Sequence, residues 1–378
     1  MSSAQPKSRG RVLVVLHDEL LNGATISVLR AVPLLEEQGW QFGFWVPQPG
    51  PAANFLRKRG AQVLGEARPI VSGFEALREP PGAWRRLSAT PGYLRRFSKA
   101  VRAVAPQLVH SNSLYSYAEA LTARAIGVPT ILHVHDMAPE SRKLAIARWV
   151  CRTGVNRTVA VSEACAASYA IDDWAPEVVY EAAPIPAKPA PARDNPRPFV
   201  VGTVGVISKR KGSDIFVGAA RQVLPEKRDI EFRLVGEPTD PLDRDWGMDV
   251  LQAAAAAGIR HSPRVEVLEE LRTWDAFVLP SRKDPFPIVM LEAMASGLPV
   301  IGTAVDGISE QLTSETGILI EPESPTALAN AIRELSAMSV EVRRAMGLAA
   351  RERVSSHFDL ARQARGLDGV YRRLAAHG

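Results

Sequence analysis

An α/β protein built of two Rossmann-like parallel-sheet domains follows from three features of the sequence. Short apolar runs alternate with amphipathic stretches through the first half, a proline-rich stretch interrupts them, and the same alternation then restarts. At 378 residues the chain is too long for one ordinary core, which agrees with two domains. The expected division is an N-terminal domain over 1–186, a linker over 187–198 and a C-terminal domain over 199–359. The last helix, 360–378, is expected to return to the first domain. A crevice between two such domains is the natural ligand site.

In chain order, Val12–Leu16 reads as a buried strand and Ile26–Gln38 as a helix ending at Gly39. Gln41–Val46, Leu108–His110, Thr130–His133 and Thr158–Val161 supply further strands, the last followed by a helix opening at Ser162. Residues 184–198, PIPAKPAPARDNPRP, repeat proline without an apolar period, as an extended linker does. Beyond it, Phe199–Val204, Glu231–Val235, Ala276–Leu279 and Pro299–Gly302 read as strands. Ser213–Leu224, Ile288–Ser296 and Pro325–Ser336 read as helices, and Leu360–Ala376 carries an apolar face at Leu367, Val370, Tyr371 and Leu374.

The 46% hydrophobic and 23% charged residues are those of a soluble globular protein. Two cysteines, Cys151 and Cys165, make neither a disulfide framework nor a zinc site, so a reducing compartment fits. The polar start MSSAQPKSRG leads into only five apolar residues, too few for a signal-peptide core, and no stretch reaches the length of a membrane span. The expected location is the cytoplasm, with the inner face of the membrane as a place of peripheral contact. The sequon at Asn156 then has no meaning.

Positive charge gathers in the first domain, where residues 1–186 hold 21 Lys and Arg against 15 Asp and Glu. Within 78–102 stand Arg78, Arg85, Arg86, Arg95, Arg96, Lys99 and Arg102, with Glu79 the single acid and Trp84, Tyr93 and Phe97 interleaved. Such a segment reads equally as a surface for anionic lipid or an acidic acceptor and as a solvated helix face. No nucleic-acid recognition motif accompanies it, so nucleic acid is not an expected partner.

The most informative block runs from Ser281 to Pro299, SRKDPFPIVMLEAMASGLP. A strand ends at Leu279, a loop passes through Pro285 and Pro287, and a helix begins. The amides of Phe286, Ile288 and Val289 would face outward at that helix N-terminus, where an anion or a sugar hydroxyl can dock. Asp284 lies just ahead and Glu292 eight residues on, two carboxylates suited to polyol hydroxyls. A plain N-cap at Asp284 would explain neither Glu292 nor the surrounding block. This block resembles glycosyltransferase family 4, with its paired acids in an E-x7-E pattern, although Asp284 replaces the first glutamate and is one methylene shorter.

Five further segments are similar to the same family. Gly205-Val-Ile-Ser-Lys-Arg-Lys-Gly212 follows a strand and opens a helix, matching a phosphate loop with Lys211 at the lysine position. The family's arginine falls on Val206, so Lys209 or Arg210 is expected to supply that charge; a solvated basic turn is the plainer reading. Asn22-Gly23, after the first strand, stands where the family has a glycine pair. Asn22 is expected to tolerate left-handed backbone there and Gly23 to let the chain approach a phosphate. His135, in His133-Val-His135-Asp136, matches the histidine near the donor sugar, against the ordinary reading of a satisfied core or loop histidine. His110 and Ser111-Asn112, at a similar strand end, read as structural. Asp306-Gly307-Ile-Ser-Glu310 resembles a G-G-x-x-E loop with Asp306 in place of the first glycine, and Thr316-Gly317 with Pro325 complete the pattern.

The resemblance implies a GT-B fold, two Rossmann-like domains facing across a cleft, and a retaining, metal-independent transfer from a nucleoside diphosphate sugar to a hydroxyl acceptor. Cell-envelope glycan or glycolipid synthesis is a setting it suggests. Lys211, Asp284 and His135 are then the catalytic candidates. Gly23, Lys209, Arg210, Lys211, Phe286, Pro287, Ile288, Val289 and Glu292 are the donor-binding ones. No cofactor or metal site is implied beyond the co-substrate, and the acceptor is a glycan, a lipid-linked sugar or a small molecule. Two alternatives share these motifs in part: a nucleotide-sugar 2-epimerase and a non-catalytic sugar-binding module. A metal-dependent transferase using Asp243-Arg-Asp245 lacks the apolar strand that should precede such a triplet.

Overall fold

Strand β1 (Gly10–Val15) buries four consecutive side chains, Val12 to Val15, as a strand covered on both faces must. It lies inside a seven-stranded sheet in the computed structural model, which describes residues 9–65, 83–139, 143–190, 198–240 and 242–376, with backbone alone over 83–89. The other strands are β2 (Trp40–Trp45), β3 (Gln62–Leu64), β4 (Leu108–Ser111), β5 (Thr130–Val134), β6 (Arg157–Ala160) and β7 (Glu177–Val178). The order is β3-β2-β1-β4-β5-β6-β7, and every pairing is parallel. The chain therefore reverses its direction of travel across the sheet between β1 and β4. Parallel sheets of this kind take ligands at the carboxyl ends of the strands beside such a reversal.

A second sheet contains β8 (Phe199–Val204), β9 (Ile230–Val235), β10 (Arg260–Ser262), β11 (Ala276–Leu279), β12 (Val300–Thr303) and β13 (Gly317–Ile320). Its order, β10-β9-β8-β11-β12-β13, is again all parallel and reverses between β8 and β11.

The chain divides into two compact units, 1–181 with 360–378, and 182–359. In the first, Val12, Leu35, Trp40 and Phe44 share a core with Leu367, Val370 and Tyr371 of the last helix, Leu360–Ala375. Asp368 fixes that helix, accepting from Trp40 Nε1 at 2.8 Å and pairing with Arg9 at 2.6 Å. The second core gathers Val201, Phe216, Phe232, Val278 and Ile332.

One placement differs from the sequence reading. Residues 182–186 group with the second unit, because Ala183 bridges Asp359 and its N–H donates to the Phe358 carbonyl at 3.2 Å. Within the proline-rich stretch, residues 191–197 lie outside the described residues. Strands β3, β7 and β10 went unread because two or three residues are too few to show a period. Among the described residues, no helix is long and apolar enough to cross a membrane.

Candidate functional site

Two loops meet at the reversal of the second sheet. One follows β8 and spans Gly205–Gly212; the other follows β11 from Pro280 into the helix Ile288–Ala295. Gly212 makes the meeting possible. Its φ is +67°, and a Cβ there would stand 1.9 Å from the Pro280 carbonyl oxygen, so only glycine fits without displacing backbone. Arg282 joins the loops from the other side. Its guanidinium donates to the Lys209 carbonyl at 2.7 Å and takes Asp214 in a two-pronged pair at 2.8 Å on each arm. Its Nε also donates to Glu323 at 2.7 Å, and these hydrogen bonds raise its already high pKa further.

That junction brings Lys211 and Asp284 together, with Nζ donating to Oδ2 at 2.6 Å. The pair is largely dry, the side chains being 17% and 5% exposed. Burial pulls the Lys211 pKa down, while the Asp284 carboxylate works against that pull. Ser281 Oγ also donates to Asp284 Oδ2, at 3.2 Å. Asp284 caps no helix: the helix opens after Pro287, and the Asp284 N–H donates to Asp306 Oδ2 at 2.8 Å. Asp306 stands at φ +39°, the backbone region glycine favours, where the resemblance has a glycine. The hydrogen bond to Asp284 is what its carboxylate contributes in exchange for that strain.

Of the two candidates for the second cation, Arg210 lies nearer the pair, its Nη1 3.9 Å from Asp284 Oδ1 and 3.3 Å from the Lys283 carbonyl. Lys209 turns outward at 60% exposure, with its amide donating to Asp243 Oδ2 at 2.9 Å and its ammonium 6.0 Å above the Trp246 ring. Asp243 thus serves the backbone of the Gly205–Gly212 loop. Phe286 is buried edge-on against Phe358, ring centres 5.3 Å apart, and Pro287 precedes the helix. Ile288 and Val289 form the first helical turn, whose amides have no carbonyl one turn earlier to meet. Glu292 lies buried on the same helix.

In the first unit, Asn22 departs from the expected left-handed conformation. Its φ is −80°, and its Oδ1 accepts from the Thr25 amide at 2.9 Å, capping the helix Gly23–Glu37. Gly23 is the first residue of that helix and is exposed. His135 follows β5, with Nδ1 2.7 Å from Glu181 Oε1 and Nε2 3.1 Å from Asn112 Oδ1. His110 is buried with Nδ1 2.6 Å from the Tyr371 hydroxyl, and burial then the nearby His135 push its pKa down to about 3. The basic segment is an amphipathic helix, Ala83–Val104. Tyr93 and Phe97 are core residues against Trp45 and do not stud the surface, while Arg95, Arg96, Lys99 and Arg102 face outward. Arg78 and Glu79 and the side chains of Trp84, Arg85 and Arg86 lie outside the described residues.

A family model described as Glycosyltransferase Family 4 matches residues 21–180, and one described as Glycosyl transferases group 1 matches 198–338. The chain belongs to glycosyltransferase family 4. It is 34% identical over 148 residues to a D-inositol 3-phosphate glycosyltransferase of Paenarthrobacter aurescens, a stretch covering 37% of this chain and 36% of that protein. The chain thus spans about a third of the length of that curated relative. It is 29% identical over 317 residues to an alpha-maltose-1-phosphate synthase of Mycolicibacterium smegmatis, covering 72% of this chain and 81% of the other. Anabaena Alr3699/HepE, crystallised with UDP and glucose, superposes with a TM-score of 0.79 at 17% identity, over 96% of this chain and 99% of that one. This last likeness speaks to the fold alone, a pair of Rossmann-like domains of the GT-B kind.

The sequence reading gave no role to Arg282 and Ser281 in the second unit or to Glu181, Ser27 and Gln363 in the first, and it placed Asp306 in a glycine loop without its hydrogen bond to Asp284. Arg282 and Ser281 lie within the recognised block and were legible as neighbours of Asp284. Glu181 carried no signal, since its distance from His135 along the chain is closed only by the fold.

Proposed function

We propose that this chain transfers a sugar from a nucleoside diphosphate donor to a hydroxyl acceptor, with retention at the anomeric carbon and without a metal ion. The observation that carries the reading is the Lys211–Asp284 pair at the reversal of the second sheet, beside the first turn of the helix Ile288–Ala295. As the bond between the anomeric carbon and the diphosphate oxygen breaks, negative charge grows on the leaving group and the sugar becomes oxocarbenium-like. Lys211 and Arg210, with the helix amides, are the groups to receive that charge. Asp284 holds Lys211 in place and accepts from sugar hydroxyls, and Glu292 accepts from the ribose. The acceptor oxygen forms the new bond on the face the diphosphate leaves, and its proton passes to the departing phosphate oxygen. The acceptor side falls to the first unit, where the outward cations of the helix Ala83–Val104 suit an anionic or lipid-linked acceptor.

The Anabaena protein of the same fold holds UDP, so uridine diphosphate sugars are the first donors to try. Thermal shift against UDP, GDP, ADP and TDP selects the base, since a ligand bound only by the folded state raises apparent stability. Incubation of the matching labelled sugar nucleotide with EDTA should leave transfer intact. Loss of transfer on chelation overturns the metal-free reading, and an inverted product overturns retention. Interconversion of the donor alone marks an epimerase.

A further inference from the structure

His135 sits in a polar network whose hydrogen positions can be worked out from its partners. Asn112 spends its Nδ2 on the Ala24 carbonyl at 2.9 Å, which accepts only. Its Oδ1 therefore faces His135 Nε2, so Nε2 carries a hydrogen. On the other side of the ring stands Glu181, whose side chain is 3% exposed. Glu181 Oε2 accepts from the Ser27 hydroxyl and from Gln363 Nε2 at 3.0 Å, and Oε1 faces His135 Nδ1 at 2.7 Å. Gln363 Nε2 also donates to Ser27 Oγ at 2.7 Å, which turns the Ser27 hydrogen onto the carboxylate. Two donors thus meet Oε2, so that oxygen carries no hydrogen, and a carboxylate that only accepts then sets a hydrogen on His135 Nδ1 as well.

We infer that Glu181 is a positioning residue that keeps hydrogens on both ring nitrogens of His135, each turned into protein, so that His135 can take no proton from an acceptor hydroxyl. The inference rests on the sugar-transfer reading above and deepens it. It removes His135 as a base and leaves the acceptor proton to the departing phosphate. The rest of the cluster agrees. His133 lies tilted against His135 with ring centres 4.2 Å apart; its nitrogens find no hydrogen-bond partner among the described residues, and burial, then the charge of His135, holds its pKa well below the usual range. A neutral neighbour does not repel a charged ring. Gln363 brings the last helix into the network, as Asn112 brings the end of β4.

Nitrogen-15 spectra of the histidine rings test this on the whole chain, with the His135 signals assigned by their loss in His135→Gln. At neutral pH an ordinary histidine is mostly bare at one nitrogen. The wild type should show hydrogens on both His135 nitrogens, and a bare nitrogen overturns the proposal without any variant. In Glu181→Gln one nitrogen should become bare. Turnover should fall on the order of tenfold to a hundredfold while KM for the sugar nucleotide stays within about twofold. Glu181→Asp should restore part of both. Unchanged ring signals in Glu181→Gln sink the assignment. If the wild type transfers no sugar, the functional reading fails, and the ring spectra still judge Glu181.

Discussion

Lys211 and Asp284, 73 residues apart in sequence, meet at 2.6 Å because Gly212 lets one loop lie on the carbonyl of Pro280 in the other. The pair has two consequences that a surface lysine would not have. Removing Lys211 strips a charge from the site and also leaves a buried carboxylate with, among the described residues, only Ser281 and the more distant Arg210. Lys211→Ala should therefore lower turnover on the order of a hundredfold and cost about 1–3 kcal/mol of stability. Lys211→Ala/Asp284→Asn should recover much of that stability and none of the rate. A single variant as stable as the wild type would falsify the buried pair; normal turnover would remove Lys211 from the reaction.

How much of this was readable beforehand depends on the range of the cause. Both sheets, their alternation with helices and the strand–loop–helix context of Lys211 and Asp284 follow from periodicity and from motifs within twenty residues of one another. Which second cation approaches Asp284 does not, because Lys209 and Arg210 are adjacent in sequence and only the loop path brings the Arg210 guanidinium to 3.9 Å from Asp284 and leads the Lys209 ammonium toward Asp243. Tyr93 and Phe97 misled for a similar reason. Beside so many cations they read as surface aromatics, whereas their spacing with Val101 and Val104 is that of a buried helix face. Asn22 looked like a glycine substitute and proved to be a helix cap, since its side chain had an amide three residues on to accept from.

The strain at Gly212 can be separated from the clash. Gly60 has a similar φ of +74° with no described atom within 4 Å of its missing Cβ, whereas at Gly212 the added carbon meets backbone. Gly60→Ala should cost about 1–2 kcal/mol, the conformational term alone. Gly212→Ala should cost more and also weaken nucleotide binding, because the loop carrying Lys211 has to shift. Urea unfolding and calorimetry on both variants check this; equal losses would mean that the contact with Pro280 is readily relaxed.

His110 makes an acid-stability prediction with a definite sign. Its folded pKa is about 3 against an ordinary value near 6.5, so between those limits the unfolded chain binds the extra proton. Its effect on stability is flat above about pH 6.5 and grows as a loss while pH falls toward 3, with a slope approaching about 1.4 kcal/mol per pH unit. His110→Gln should be less stable at neutral pH, having lost the Tyr371 partner, yet should decline less steeply between pH 6 and pH 4. Parallel curves for the two proteins would show that His110 does not titrate as a buried neutral group.

The helix Ala83–Val104 separates its residues cleanly. Tyr93, Phe97, Val101 and Val104 face the core, and Arg95, Arg96, Lys99 and Arg102 face out. Four cations on one exposed face are a surface for an anionic membrane, each contributing about 1 kcal/mol near such lipid. The wild type should then sediment with vesicles rich in phosphatidylglycerol at low salt and be released as salt is raised, because the attraction is screened within about 8 Å at physiological ionic strength. Replacing Arg95, Arg96, Lys99 and Arg102 with glutamine should abolish that association. Nucleotide affinity should stay unchanged, since most of the proposed donor groups belong to the other unit and none lies on this helix. If the wild type ignores the vesicles and the fourfold variant transfers sugar to its acceptor normally, the face is merely solvated and a soluble, uncharged acceptor is the better candidate.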